Sequence, residues 1–212
     1  MRDFAPVATL VGTETLLVVN PQLPANNLQE LIALAKARPG QLNYASSGSG
    51  TANHLALELF SILAGIKMQH IPHKGAGPAV TDLVGGQVQV FTNNALPLTP
   101  FVKAGRIRAI AISGENRLIS LPDVPTFTEA GLPGFSVNSW QGVLAPARTP
   151  RAIIDKLSAE YARILRTPDV RDTLQKMGAD TMIGSPEQFA ALIKTDLTRY
   201  AKLIRDAKIR LE

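Results

Sequence analysis

Between Leu42 and Ile112 the sequence repeats one pattern: a short apolar run, a polar turn, then apolar residues at helical spacing. Leu42, Tyr44 and Ala45 lead into Ser46–Thr51, after which Leu55, Leu59, Ile62 and Leu63 return every three or four residues. Lys67–Ile71 ends in Pro72–Pro78 and passes to a helix over Ala79–Val84, stopped by Gly85 and Gly86. Val88–Phe91 ends in Thr92, Asn93 and Asn94; a proline-interrupted helical segment then reaches Lys103, and Ile107–Ile112 form a further apolar strand. Alternation with such short connections restricts the chain to an α/β fold whose sheet is largely parallel and covered on both faces. In such sheets ligands bind beyond the carboxyl ends of the strands. Three polar loops leave strand ends here: Ser46–Thr51, His73–Gly77 and Thr92–Asn94.

The first of these loops carries the most chemistry. Gly48 and Gly50 open backbone conformations closed to other residues and let a ligand approach the main chain. The first N–H groups of the following helix lack internal partners and sit at the positive end of its dipole, which suits a carboxylate or phosphate. Ser46, Ser47, Ser49 and Thr51 add hydroxyl donors. Serine- and glycine-rich turns also serve simply as N-caps, and the segment alone leaves both readings open. Sharper motifs are excluded: no lysine follows Gly50 as a phosphate-binding P-loop needs, Asn53 stands where a dinucleotide fingerprint wants its third glycine, and no Gly-x-Ser-x-Gly occurs.

Elsewhere, Thr15–Asn20 reads as a buried strand, and Asn26 or Asn27 caps a helix that ends at Pro39-Gly40. Residues 114–136 hold Pro122, Pro125, Pro133, Gly131 and Gly134 and read as a connector with one helical turn near Thr126–Ala130. Val137–Ala145 is extended. Thr149-Pro150 caps a helix to about Leu165 with proline at its first position, Thr167-Pro168 starts a shorter one, Thr181–Ile183 form a small strand, and Ser185–Gln188 open the last amphipathic helix. The absence of cysteine removes disulfides and thiol chemistry. A net charge of +5 invites a nucleic-acid reading, but residues 151–212 hold 12 Lys/Arg against 9 Asp/Glu, residues 1–150 hold 10 against 8, and aromatics are only 5%. Mixed signs without a basic run argue against nucleic acid and for, at most, a small anionic ligand.

In order along the chain, Phe4-Ala-Pro-Val7, Leu17-Val-Val-Asn-Pro21, Leu42-Asn-Tyr-Ala-Ser-Ser-Gly48 with Gly50-Thr51, His70-Ile-Pro72 with Lys74-Gly75, and Gly85-Gly-Gln-Val88 form a recurring set. It continues with Leu121-Pro-Asp-Val-Pro125, Glu129-Ala-Gly-Leu-Pro133, and Ser139-Trp140 with Leu144-Ala-Pro146. With these motifs the sequence resembles the Bug-type periplasmic solute receptors of the tripartite tricarboxylate transporter family across essentially its whole length. The resemblance implies a type II periplasmic-binding-protein-like fold of two α/β lobes, joined by crossing strands near Val7–Asn20 and Val137–Ala145, that clamps a small carboxylate without catalysis or cofactor. It implies a complete α/β lobe over 20–137, with 1–19 and 138–212 as crossing strands and remainder of an incomplete, mostly helical lobe. Membrane transporter subunits are the implied partners.

Carried over residue by residue, the resemblance places Ser46, Ser47, Gly48, Ser49, Gly50, Thr51, His73, Lys74 and Asn93 at the ligand. Two departures stand out: His73 replaces the tyrosine that usually precedes Lys-Gly, and Asn93-Asn94 replaces the usual Asp-Asn, which argues against an amine-bearing ligand. Family members resembling this chain begin with an export signal and a further strand-loop-helix unit with a Pro-Gly-Gly anion loop; Met1–Pro6 has neither the basic start nor the apolar core of a signal. The expected location is therefore periplasmic by resemblance, with cytoplasmic retention as the alternative, and the chain alone is expected to bind solute poorly. An apolar row of Ile153, Ile154, Leu157, Tyr161 and Leu165 is expected to be exposed or turned to a second copy.

Competing readings attach to single residues. His70 and His73 lie three apart, but no carboxylates cluster with them and His54 lies on a helix, so no metal site is expected. Lys74 either pairs with an anion or is solvated, and Trp140 either walls a cleft or fills the core. A serine hydrolase using Ser47 or Ser49 is the alternative function and requires a His or Lys base within ~3 Å of the hydroxyl; a non-binding remnant acting through protein contacts is the third.

Overall fold

The computed structural model describes residues 2–135, 137–176 and 179–206. The chain divides into two units, Glu14–Asn138 with Lys202–Glu212, and Met1–Thr13 with Ser139–Ala201. Strand β1 (Phe4–Val19) belongs to both.

The larger unit is organised by alternation along its strands. In β1, Leu17 and Val19 enter one apolar cluster while Leu16 and Val18 enter another, as the period of two requires. Helices α1 (Leu28–Ala37) and α2 (Ala52–Ala64) supply Leu28, Leu31, Leu57 and Phe60 to the first cluster. Helices α3 (Ala76–Val84) and α4 (Ala95–Lys103) supply Ala79, Leu83 and Leu98 to the second. Between them lie β2 (Asn43–Ser46), β3 (Gln69–Pro72), β4 (Val90–Asn94) and β5 (Arg108–Ile112), in the order β3-β2-β4-β1-β5.

Strand β2 pairs parallel with both β3 and β4, whereas β1 runs antiparallel to β4 and β5. The sheet is thus mixed: four strands share one direction and β1 is inserted against them, between β4 and β5. The helix-linked succession dictates the direction of the four but not that of β1, which no helical crossover joins to either neighbour. The ends of the elements follow local chemistry. Asn27 Oδ1 accepts from Glu30 N at 2.9 Å, and Glu30 Oε2 accepts from Asn26 N at 2.7 Å, so α1 opens with reciprocal capping. Helix α3 begins three residues before the spacing predicts, because Pro78 falls in the first turn, where its missing N–H is no loss. Arg108 fixes the chain after β1 by donating to the carbonyls of Pro21, Leu23 and Ala25. In the connector, Ala130 N donates to Thr126 O at 2.9 Å, the expected helical turn.

In the smaller unit β6 (Asn138–Pro146) pairs with β1, and β7 (Ala179–Thr181) pairs antiparallel with it through Val11, Gly12 and Thr13. Val7, Ala8 and Ile154 form its small apolar centre. Helices α5 (Arg151–Leu165), α6 (Pro168–Lys176) and α7 (Pro186–Asp206), the last as far as Ala201, complete it. Pro150 takes the cap position of α5 rather than its first turn, and no side chain caps there. The expected exposed row divides: Ile154 and Leu165 are buried, while Ile153 is 49% and Leu157 39% exposed. Strand β7 starts two residues earlier than expected. Trp140 packs edge-on against Phe189 at 5.2 Å and donates to Asp196 Oδ2 at 2.6 Å, the satisfied position of an indole within a core.

Gly142 of β6 has no room for a side chain: an added Cβ would meet the Ala8 carbonyl oxygen at 2.8 Å and the buried Phe189 ring. Gly142→Ala is expected to lose roughly 1–3 kcal/mol of stability through overpacking, measured as a lower urea midpoint at unchanged slope.

Candidate functional site

Parallel pairing brings three helix starts together. Strands β3, β2 and β4 lie side by side and point the same way, and each is followed by a helix: α3 after β3 and α2 after β2 across a short turn, and α4 directly after β4. The unpaired N–H groups of three helices therefore stand along one sheet edge.

The loop after β2 is built inward from Ser46. Its fully buried hydroxyl accepts from Gly48 N and contacts Gly48 O, both at 3.1 Å, and lies 2.7 Å from His70 Nε2. Gly48 and Gly50 hold φ values of +136° and +76°, conformations that disfavour side chains. Thr51, the cap residue of α2, turns its hydroxyl back to Gly48 O at 2.7 Å. Gly50 N donates to His54 Nδ1 at 3.0 Å, one turn into the helix. A backbone N–H can only donate, so Nδ1 accepts and the ring proton sits on Nε2.

Beneath this loop the rings of Tyr44, His70 and His54 form a stack, with centroids 5.0 Å and 3.8 Å apart. Burial, and then proximity to His54 and His73, pushes the His70 pKa down to about 4. Burial also lowers the pKa of His54, against the opposing pull of Glu58. His54 Nε2 is 3.9 Å from Glu58 Oε1, too far for a hydrogen bond, and with a neutral ring this contact is not an ion pair. Tyr44 donates its hydroxyl to Glu58, and burial followed by that carboxylate raises its pKa. A serine–histidine contact thus exists, but at Ser46 rather than Ser47 or Ser49, inside the protein and engaged with the loop backbone.

The other two loops are tied to the first. Gly75 N donates to Ser47 O at 3.2 Å, and His73 N to Ser46 O at 3.1 Å. The His73 ring faces Ile71 O at 3.0 Å with Nδ1 and Asp82 Oδ2 at 2.9 Å with Nε2, so both nitrogens are taken by the protein. On the far side, Asn53 Nδ2 donates to Thr92 O at 2.6 Å and to Asn93 Oδ1 at 3.2 Å.

The structure thus sorts the expected site residues. Ser47, Gly48, Ser49, Gly50, Thr51, Lys74 and Asn93 stand at the loop surfaces, and Lys74 is exposed with no ion pair among the described residues. At Ser46 and His73 the side-chain polar atoms meet partners within the protein, so these two shape the loops. Sequence reasoning missed Asn53, Asp82 and the loop role of His54 and His70. Only the four-residue spacing from Gly50 to His54, one helical turn, offered a signal. Asn93 also lines a cavity of about 680 Å³ between α3 and α4, walled mainly by Val80, Val84, Pro97 and Phe101. No cluster of metal-ligating side chains occurs among the described residues.

Comparison with known proteins gives a consistent answer. The family described as tripartite tricarboxylate transporter family receptor matches residues 1–209. Protein BugT of Bordetella pertussis is 34% identical over 212 residues, which are 100% of this chain and 65% of BugT. The structure of R. palustris Rpa4515 with adipate superposes with a TM-score of 0.90 at 33% identity, covering 98% of this chain and 69% of the other. MatC from Rhodopseudomonas palustris with bound malate gives 0.84 at 33% identity, covering 95% and 69%.

The depressed histidines set an acid limit. Above the ordinary histidine pKa of 6.5 the rings are neutral whether the chain is folded or not. As pH falls below it, the unfolded chain takes protons that the folded stack refuses, so stability drops until His70 itself protonates near pH 4. The His70 contribution is on the order of 1–2 kcal/mol, discounted for its remaining contact with solvent. Urea unfolding between pH 7 and pH 4 is expected to show a shallower decline in His70→Gln than in the parent chain.

Proposed function

The chain belongs to the tripartite tricarboxylate transporter receptor family, and from that premise we propose that it is a solute receptor for a small carboxylate. The observation that carries the reading is the row of three helix N-termini on adjacent parallel strands, fronted by the hydroxyls of Ser47 and Ser49 and by the Lys74 ammonium. Every group in that row donates, and none among them carries a negative charge, so a carboxylate fits and a cation does not. Gly48 and Gly50 keep side chains away from the start of α2, which Thr51 caps, and Asn93 closes the row. The ligands of two similar structures, adipate and malate, are both dicarboxylates, which supports the same class.

The further parts of the proposal are delivery of the solute to the membrane subunits of a tripartite tricarboxylate-type transporter and a periplasmic location. Among the described residues no helix is long and apolar enough to cross a membrane. The 20–137 lobe, with 1–19 and 138–212 as crossing strands and remainder of a second lobe, is the proposed division of labour, the larger part holding the anion loops. The chain spans 65% of the length of BugT. The row of Ile153, Leu157 and Ile164 on α5, all more than a third exposed, is the proposed surface for a second copy.

Titration calorimetry with adipate and with malate tests the ligand class. Gly50→Val forces a β-branched side chain onto a φ of +76° and is expected to cut affinity at least roughly tenfold while far-UV dichroism stays unchanged. Unchanged affinity removes the loop from the site. Sedimentation velocity at micromolar concentration is expected to show self-association, weakened by Leu157→Lys; a monomer throughout removes that part of the proposal.

A further inference from the structure

We infer that Asn53 is the specificity-determining positioning residue of this receptor: it fixes which end of the Asn93 amide is offered to solute. The inference rests on the carboxylate reading above and concerns the selectivity of the same site. Its basis is a chain of hydrogen bonds in which each choice of donor forces the next.

The chain begins at the backbone. Thr92 is fully buried, and its carbonyl oxygen can only accept, so the atom of Asn53 that stands 2.6 Å away must be the amide nitrogen. That nitrogen has two hydrogens. With one committed to Thr92 O, the other reaches the Asn93 side chain at 3.2 Å, which must present an acceptor there, its Oδ1. The Asn93 amide is thereby fixed in one of its two orientations, with Oδ1 held inward and Nδ2 left as the free end. No hydrogen bond to Asn93 Nδ2 occurs among the described residues, although Asn93 is half-buried and lines the cavity between α3 and α4.

The position of Asn53 makes the arrangement rigid. It lies in the first turn of α2, directly after the anion loop, and Thr92 Oγ1 donates back to Asn53 O at 3.4 Å. The β2 and β4 loops are therefore coupled through this one residue. An amide presents a donor at one end and an acceptor at the other, and the two ends differ little in shape. Without an outside constraint Asn93 would offer a carboxylate or an ammonium group almost equally. Held by Asn53, it offers N–H and selects the anion. An aspartate at position 93 would still accept from Asn53 and would turn its second oxygen outward, reversing the preference.

The test uses the full chain, with adipate and aminocaproate as probes; the second carries an ammonium in place of one carboxylate. Calorimetry of the parent, Asn53→Ala, Asn93→Ala and the double variant is expected to show the adipate-to-aminocaproate preference falling roughly fivefold or more in Asn53→Ala, the value of about one neutral hydrogen bond. The double variant is expected to match Asn93→Ala, because Asn53 acts through Asn93. In the ligand-free protein, the ¹⁵N order parameter of the Asn93 side-chain amide, identified by its loss in Asn93→Ala, is expected to fall in Asn53→Ala. Equal losses for both probes, additive effects in the double variant, or an unmoved Asn93 amide would each overturn the inference while leaving the carboxylate reading in place. If the parent chain binds neither probe nor malate, the carboxylate reading fails and the selectivity inference fails with it, whatever the amide does.

Discussion

The parallel pairing of β2 with both β3 and β4 is the constraint from which the rest of the site follows. Antiparallel neighbours would send successive helix starts to opposite edges of the sheet. Parallel neighbours send them to the same edge, so three sets of unpaired N–H groups accumulate within the width of three strands, about 10 Å between the outer two. Each set alone is a weak positive pole that salt screens readily. Side by side, and with a lysine and hydroxyls among them, they make a surface rich in donors, which is the basis of the proposed anion site. The antiparallel β1 on the other side of β4 does not disturb this, because it contributes no helix start to that edge.

Holding such an edge open requires inner polar groups that do not compete with the ligand, and the buried His54 with the half-buried His70 meets the requirement. A lysine or arginine under the loop would draw the anion inward, and a carboxylate would repel it. Neutral His54 accepts the Gly50 N–H without adding charge, and His70 Nε2 stands 2.7 Å from the Ser46 hydroxyl. Their ring faces stack on each other and on Tyr44, so the apolar surfaces pack as core while the edges make hydrogen bonds. Burial disfavours the charged form of both rings and lowers both pKa values, and at His70 the neighbouring His54 and His73 lower it further.

The fold was largely legible because its signals are local. The switch from strand to helical period at Ser46–Thr51 and the punctuation at Pro39-Gly40 and Gly85-Gly86 each depend on a few adjacent residues. The direction of β1 was not legible, since nothing in Thr15–Asn20 records which neighbours it will meet. The site was legible only on its outer surface. Glycine and serine in a strand-to-helix turn announce themselves, whereas the inward roles of Ser46, His70 and His73 depend on partners brought together by folding. Ser46 meets His70 across 24 positions, and Asn53 meets Thr92 across 39. A hydroxyl in a loop reads the same in sequence whether it faces solvent or the loop's own backbone.

That division of polar groups decides what kind of ligand the edge can hold. Gly48 O, a candidate acceptor at the mouth of the loop, is taken by the hydroxyls of Ser46 and Thr51 and by Thr51 N. Ser47 O is met by Gly75 N, and Ser46 O by His73 N. The acceptors nearest the three helix starts are thus turned to internal donors, while the hydroxyls of Ser47 and Ser49 and the first helical N–H groups remain without an internal counterpart among the described residues. The proposed preference for an anion rests less on an added positive charge than on the removal of lone pairs. A cation or a neutral donor arriving at this edge would find few acceptors, leaving its own polar groups desolvated at about 1–3 kcal/mol each, whereas a carboxylate brings the acceptors that the loops lack.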